Sequence, residues 1–217
     1  MKKNKIKDCL LLFAIILILS SSSCFASTDQ FKAFKTNDYE IPEVSTTDHN
    51  AVNTAVNYGV ATFKKLGYIN ANGSGYVQTS SKTTVLNWIN LKGKNYGFYI
   101  YAHGNSSCFT TVRNNTSYYI YPSDISGNWH LVFLDSCSCL QTNAFATKFH
   151  TDGYSKRATL GWYKTIKHVN SADWWGKFYQ EVGSTNIRSA CLSAADQCSG
   201  STPIRIYGDK TWNGKAW

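Results

Sequence analysis

Between Thr47 and Leu66, apolar residues recur at helical spacing: Ala51, Ala55, Val56, Gly59, Val60, Phe63 and Leu66 form one stripe. Thr47-Asp48 stands where an N-cap is expected and Gly67 where a left-handed residue closes the last turn, so a helix is predicted here. Residues 81–91 repeat the pattern more briefly, with Val85, Leu86 and Ile89 on one face. The pattern then changes period. Tyr96 to Ala102 (YGFYIYA) is an aromatic and β-branched run, as is Leu131 to Leu134 within the strand expected over 129–135. Shorter strands are predicted around Tyr76-Val77-Gln78, over Arg157 to Trp162 and over Pro203 to Tyr207. Phe109 to Val112 and Tyr118 to Tyr121 flank a turn and read as a hairpin, followed by one helical turn at Ser123-Asp124-Ile125. Helices are expected over 138–149 (Leu140, Ala144, Phe145, Phe149), 172–182 and 186–197. Strands alternating with amphipathic helices predict an α/β fold: a mostly parallel central sheet covered on both faces.

The ends of the chain read differently. Lys2, Lys3, Lys5 and Lys7, an apolar run from Leu10 to Leu19 and Cys24-Phe25-Ala26 have the form of a cleavable leader over residues 1–26. The expectation is an exported protein, extracellular or held at the cell wall, with no stable membrane insertion after cleavage because the apolar run is short for a span. Residues 27–46 are polar and aperiodic and are expected to be a linker, a propeptide-like arm or an edge strand. Residues 47–217 are then one domain.

Removing the leader, with its four Lys and one Asp, leaves 18 basic and 12 acidic side chains, a net charge of +6. No Arg/Lys block or basic helical stripe accompanies that charge, so nucleic acid is not an expected partner. Five cysteines remain: Cys108, Cys137, Cys139, Cys191 and Cys198. An odd number leaves at least one thiol unpaired within the chain. Along a continuous helix Cys191 and Cys198 would be about 10 Å apart, too far to bridge.

The two strongest apolar strands end in chemistry. Tyr96–Ala102 runs into His103-Gly104, and the strand at 129–135 runs through Asp135-Ser136 into Cys137. A cysteine between a buried strand and a predicted helix would have its thiolate favoured by the helix N-terminus. His130, seven residues upstream on the same strand, is about 23 Å away by strand rise, and His150 about 20 Å away beyond the helix. His49 belongs to the first helix, whereas His168, in the loop after the strand 157–162, stays open as a base. His103 fits best as general acid and base, because parallel neighbouring strands deliver both side chains to one edge. The N–H groups of Gly104 and Cys137 are then candidates for an oxyanion hole. Duller readings stand beside these: a lone cysteine on a buried strand is usually inert packing, and His-Gly ends many strands. Asp135 either caps the following helix or faces the pocket, where it would attract a basic side chain. Cys139 is a packing residue or a resolving or bridging thiol.

YIYAHG (residues 99–104) followed by VFLDSC (residues 132–137) resembles the caspase-like cysteine peptidases, the clan of caspases, metacaspases, legumains, clostripain and gingipains. The turn at Leu66-Gly67-Tyr68, the strand RATLGW (157–162), the helix pair after it and PIRIYGD (203–209) are similar to the clostripain and gingipain end of that clan. The resemblance implies a three-layer αβα sandwich with His103 and Cys137 as the dyad. It further implies Asp135 as the floor of an S1 pocket selecting Arg or Lys; Trp162 would either wall a neighbouring subsite or pack as a core tryptophan. The substrate expected is a protein or peptide, hydrolysed through a Cys137 acyl-enzyme, and neither metal nor cofactor is expected. Ser138-Cys139-Leu140 departs from the Gly that many relatives carry after the nucleophile. An amidase or transpeptidase would use the same residues. The alternative from another class is an inactive caspase-like binding or adhesion domain whose 14 Tyr and 7 Trp form a contact surface.

Overall fold

The computed structural model describes residues 29–36, 45–91, 96–112 and 116–216; the expected leader at 1–26 and the hairpin turn at 113–115 lie outside them. The chain passes through β1 (Gln30–Thr36), α1 (Thr46–Lys65), β2 (Ile69–Asn70), β3 (Val77–Thr79), α2 (Lys82–Ile89), β4 (Tyr96–Tyr101), β5 (His103–Gly104), β6 (Phe109–Thr110) and β7 (Tyr119–Ile120). It continues through a single 3₁₀ turn at Pro122–Asp124, β8 (Leu131–Asp135), α3 (Ala144–Lys148), β9 (Ala158–Trp162), α4 (His168–Glu181), α5 (Ile187–Asp196) and β10 (Ile204–Gly208). The central sheet has seven strands in the order β10-β9-β8-β4-β1-β2, with β3 also paired to β1. All its pairs are parallel except β9 with β10. This is a mixed α/β fold with a mostly parallel central sheet, as the alternating pattern predicts.

Period-2 alternation sorts each strand's side chains between two cores. Phe31, Tyr99, Phe133 and Leu160 meet α1, α4 and α5 on one face through Val56, Phe63, Trp174, Trp175, Phe178 and Ala190. Phe34, Phe98, Ile100, Val132 and Leu134 meet Val85 and Ile89 of α2, Phe145 of α3 and Phe109 and Ile120 of the small sheet on the other. Among the described residues, no helix is long and apolar enough to cross a membrane.

Two expectations need correction. Residues 30–36 are neither linker, arm nor edge strand: β1 pairs with β4 on one side and with β2 and β3 on the other. Its lysines hide this. Lys32 Nζ lies 5.1 Å from the centre of the Trp88 ring, and the buried Lys35 donates to Asn53 Oδ1 at 3.0 Å, so both charges are accommodated beside an interior strand. The helix expected over 138–149 begins only at Ala144. The helix expected over 172–182 begins four residues earlier, at His168, and at the other junctions the reading shifts by a residue or two; α1, for instance, is capped by Ser45, whose Oγ accepts from Asp48 N at 3.1 Å.

Candidate active site

Tyr101 of β4 is paired in register with Asp135 of β8, so these neighbouring parallel strands end side by side. Beyond the pair, Ala102 N–H donates to Asp135 O at 3.2 Å, and His103-Gly104 turns away as β5 into a small antiparallel sheet with β6 and β7. Two residues past Asp135 comes Cys137. A cleft of about 230 Å³ opens there, lined by Tyr101, Ala102 and His103 from the β4 end, Asp135 and Cys137 from the β8 end, and Thr165, Ile166 and His168 from the β9–α4 connection. This is the carboxyl edge of the parallel strands, where open α/β sheets leave room for ligands. A wider depression of about 660 Å³ beside Lys156, Asp209 and Trp212 lies at the opposite edge of β9 and has no thiol or imidazole in its lining.

Gly104 is required by close approach. A Cβ at this position would lie 2.1 Å from Ser136 Oγ, 2.8 Å from Cys139 Sγ and 3.0 Å from the Cys108 carbonyl oxygen. The strand that carries His103 is thus packed directly on the turn that carries Cys137. In the β5–β6 ladder Asn105 N–H donates to Cys108 O at 2.9 Å, and antiparallel alternation therefore turns the Gly104 N–H away from β6. Gly104→Ala is expected to destabilise the fold by about 1–3 kcal/mol through overpacking. Thermal melts would show it, and an unchanged Tm would mean the turn that carries Cys137 is looser than this packing.

The turn after Cys137 differs from a helix start. Ser138 has φ +59°, its N–H donates to Lys164 O, and Leu140 N–H donates to Trp162 O at 3.0 Å. The Ser138 and Leu140 amides therefore pair with the end of β9 and the residues just past it, the Cys139 amide closes the turn on Ser136 O, and Cys137 has no helix N-terminus behind it. Its half-buried Sγ lies 3.7 Å from Ile166 O, its S–H directed at that carbonyl. Burial pushes the Cys137 thiol above its ordinary value, and the nearby Asp135 carboxylate adds to the rise. The expected thiolate stabilisation by a following helix is corrected accordingly.

No protein-family model matches this chain, and no curated protein matches it significantly. The site must be judged on its geometry.

Asp135 borders the cleft but is only 2% exposed. Its Oδ1 accepts from Trp162 Nε1 at 2.6 Å and Ser171 Oγ at 3.0 Å; its Oδ2 accepts from Trp175 Nε1 at 2.7 Å and Tyr99 Oη at 3.0 Å, with Ser171 also at 3.1 Å. Four neutral side chains thus fill the carboxylate's acceptor positions. Asp135 does not cap a helix through these contacts, and a bidentate grip on an arginine would first have to displace a donor, most readily the shared Ser171 hydroxyl. Burial raises its pKa to about 6, against the lowering effect of the four donors. Trp162 is not a subsite wall but takes the other of its two readings: it is fully buried in the core and reaches the site only through that hydrogen bond.

The histidines sort by position. His130 is buried at the amino edge of β8, 3.8 Å from Asp29; His150 pairs through Nδ1 with Gly127 O at 3.0 Å; His49 lies in the first turn of α1. His103 and His168 both line the cleft, their ring centres 6.4 Å apart. His168 is the first residue of α4 rather than part of a loop, and its Nδ1 shares a 2.9 Å hydrogen bond with Tyr101 Oη. Tyr99, Tyr101, Ser171 and Trp175 are site residues that the sequence reading passed over. The spacing of His168, Ser171 and Trp175 at i, i+3 and i+7 on one helix face was the available signal. All five described cysteines are free thiols, and Cys108, Cys139 and Cys191 are buried, with burial pushing Cys139 up to about 12. Among the described residues, no cluster of three or more His, Cys, Asp or Glu is placed to hold a metal ion.

Proposed function

We propose that this protein is an exported cysteine endopeptidase of the caspase-like type, nearest in character to clostripain and the gingipains, acting extracellularly or at the cell wall on protein or peptide substrates. The observation that carries the reading is the meeting of His103 and Cys137 in one cleft at the ends of adjacent parallel strands. Cys137 Sγ attacks the scissile carbonyl as its proton passes to His103, and the Gly104 and Cys137 N–H groups receive the oxyanion. His103 returns the proton to the leaving amine as the C–N bond breaks. A water, deprotonated by His103, then cleaves the thioester, releasing the acid and restoring the thiol. Asp135, ionised near neutral pH, selects Arg or Lys before the scissile bond. Because neutral donors occupy its oxygens, it acts chiefly through its buried charge and less through a two-point contact.

One observation favours the second reading, an inactive binding domain on the same fold: burial holds the Cys137 thiol in its protonated form. Both readings meet one experiment. Matched fluorogenic peptides with Arg, Lys, Asp, Asn or Leu at P1 are presented to the chain from residue 27 onward and to its Cys137→Ala form. Turnover of the Arg and Lys peptides that vanishes in Cys137→Ala is expected. Turnover restricted to Asp, Asn or Leu peptides would keep the dyad and remove Asp135 as selector. No turnover, together with Cys137 alkylated by iodoacetamide no faster than the half-buried Cys198, would overturn the peptidase reading in favour of the binding-domain one.

A further inference from the structure

The cleft holds a second imidazole that the dyad does not use. Three observations fix where His168 stands. It opens the helical face that continues through Ser171 and Trp175, and both of these donate to Asp135, two residues before the thiol. The Cys137 thiol is directed at the carbonyl of Ile166, so the segment leading into α4 borders the sulfur. Tyr101, paired in register with Asp135, reaches across to His168 Nδ1. Strand β4, strand β8 and the first turn of α4 thereby hold this ring in the wall of the cleft of about 230 Å³ that Cys137 also lines.

The hydrogen bond to Tyr101 also decides what the ring offers. Tyr101 is 2% exposed, so its hydroxyl needs a protein partner. A phenol is a better acid than a neutral imidazole N–H, and an imidazole nitrogen is a better acceptor than a phenol oxygen, so Tyr101 Oη–H donates and Nδ1 accepts. The ring proton then sits on Nε2. A histidine in that tautomer meets the cleft as a donor and has no lone pair left with which to deprotonate the thiol. Neutral imidazole used in this way polarises a carbonyl.

We propose that His168 is a catalytic hydrogen-bond donor to the scissile carbonyl oxygen, supplementing the Gly104 and Cys137 amides, and that Tyr101 is the positioning residue that sets its tautomer. The inference rests on the peptidase reading, and the two fail separately.

The test is steady-state hydrolysis of the best P1 peptide by the wild type and by His168→Ala, His168→Gln, Tyr101→Phe and the Tyr101→Phe/His168→Ala pair. Glutamine presents an N–H near the Nε2 position but cannot act as a base. His168→Ala is expected to lower kcat by about 10²-fold with KM little changed, as loss of an oxyanion donor does. His168→Gln should recover most of that loss, staying within about 5-fold of wild type. Tyr101→Phe should lower kcat by about 5-fold alone and by nothing further beside His168→Ala, since it acts through that ring. Wild-type turnover with His168→Gln as impaired as His168→Ala would overturn the donor assignment in favour of a base or a packing role. Full activity in His168→Ala would overturn it outright. An inert wild type would sink the peptidase reading and this inference with it.

Discussion

Cys137→Ala and His103→Ala should each lower kcat/KM for the preferred peptide by about 10³–10⁴-fold, and the double variant should fall no lower than the worse single one. The reason is that in the proposed mechanism thiol and imidazole work on one proton. Without the imidazole the thiol, already held protonated by burial, is a poor nucleophile and the leaving amine departs unprotonated; without the thiol there is no acyl-enzyme for the imidazole to serve. Whatever rate remains comes from binding and the oxyanion donors, which neither substitution removes. Both residues are only partly buried at the cleft, so each variant should stay within about 1 kcal/mol of wild-type stability. Independent, multiplicative losses in the double variant would mean that the two residues do not act on the same step. Turnover by Cys137→Ala within about 10-fold of wild type would place the nucleophile elsewhere.

How much of this arrangement was legible beforehand depends on how the sequence signals burial. β4 and β8 announce themselves because they are buried on both faces and read as unbroken apolar runs, and the residues that follow them then stand out. β1 is equally interior but carries Gln30, Lys32, Lys35 and Thr36, and its lysines are accommodated by rings and an amide that lie far along the chain. No window of sequence contains those partners. The segment 138–143 misleads for the opposite reason. Leu140 and Ala144 share helical spacing, yet the Leu140 amide is taken by Trp162 O on a neighbouring strand, and tertiary pairing overrides the local pattern. The Asp135 network is hidden in the same way: its four donors come from β4, β9 and α4, and only the helix pair Ser171 and Trp175 leaves a periodic trace. Trp162 joins this network as a donor from the core and not as a wall of the cleft, a contact that a tryptophan 27 residues along the chain does not signal.

Asp135→Asn should remove the loss of stability that Asp135 causes as pH rises through about 6 and erase the proposed preference for cationic P1 residues. In the folded chain the carboxyl titrates at about 6, above its unfolded value, because burial disfavours the charge more than the four donors favour it. A raised carboxyl stabilises the fold fully below the unfolded pKa and loses that contribution as pH climbs through the folded one. The loss between about pH 4 and pH 6 amounts to about 3 kcal/mol. Asparagine carries no such charge, but its amide nitrogen must replace one oxygen. Tyr99 Oη and Ser171 Oγ can reverse roles and accept from that nitrogen, while an indole N–H, from Trp162 or Trp175, cannot and is left unpaired at a cost of about 1–3 kcal/mol. At pH 4 the variant should therefore be the less stable protein by about that amount, and by pH 7 the two should lie within about 2 kcal/mol of each other. The difference between the proteins is the quantity to follow in urea melts. His130, lowered by burial, and Asp209, lowered by the Lys156 N–H, both tilt the absolute curve the other way, with stability lost as pH falls through their ordinary values. A wild-type minus variant difference that does not change between pH 4 and pH 7 would mean Asp135 is not buried in its charged form. The activity arm uses the Arg-to-Leu ratio of kcat/KM, in which the titration of the dyad cancels. That ratio should fall by about 10- to 100-fold in the variant, and in the wild type as pH drops below about 6. Selection through a buried charge requires both declines; a ratio that survives Asp135→Asn would assign the cation to a different carboxylate.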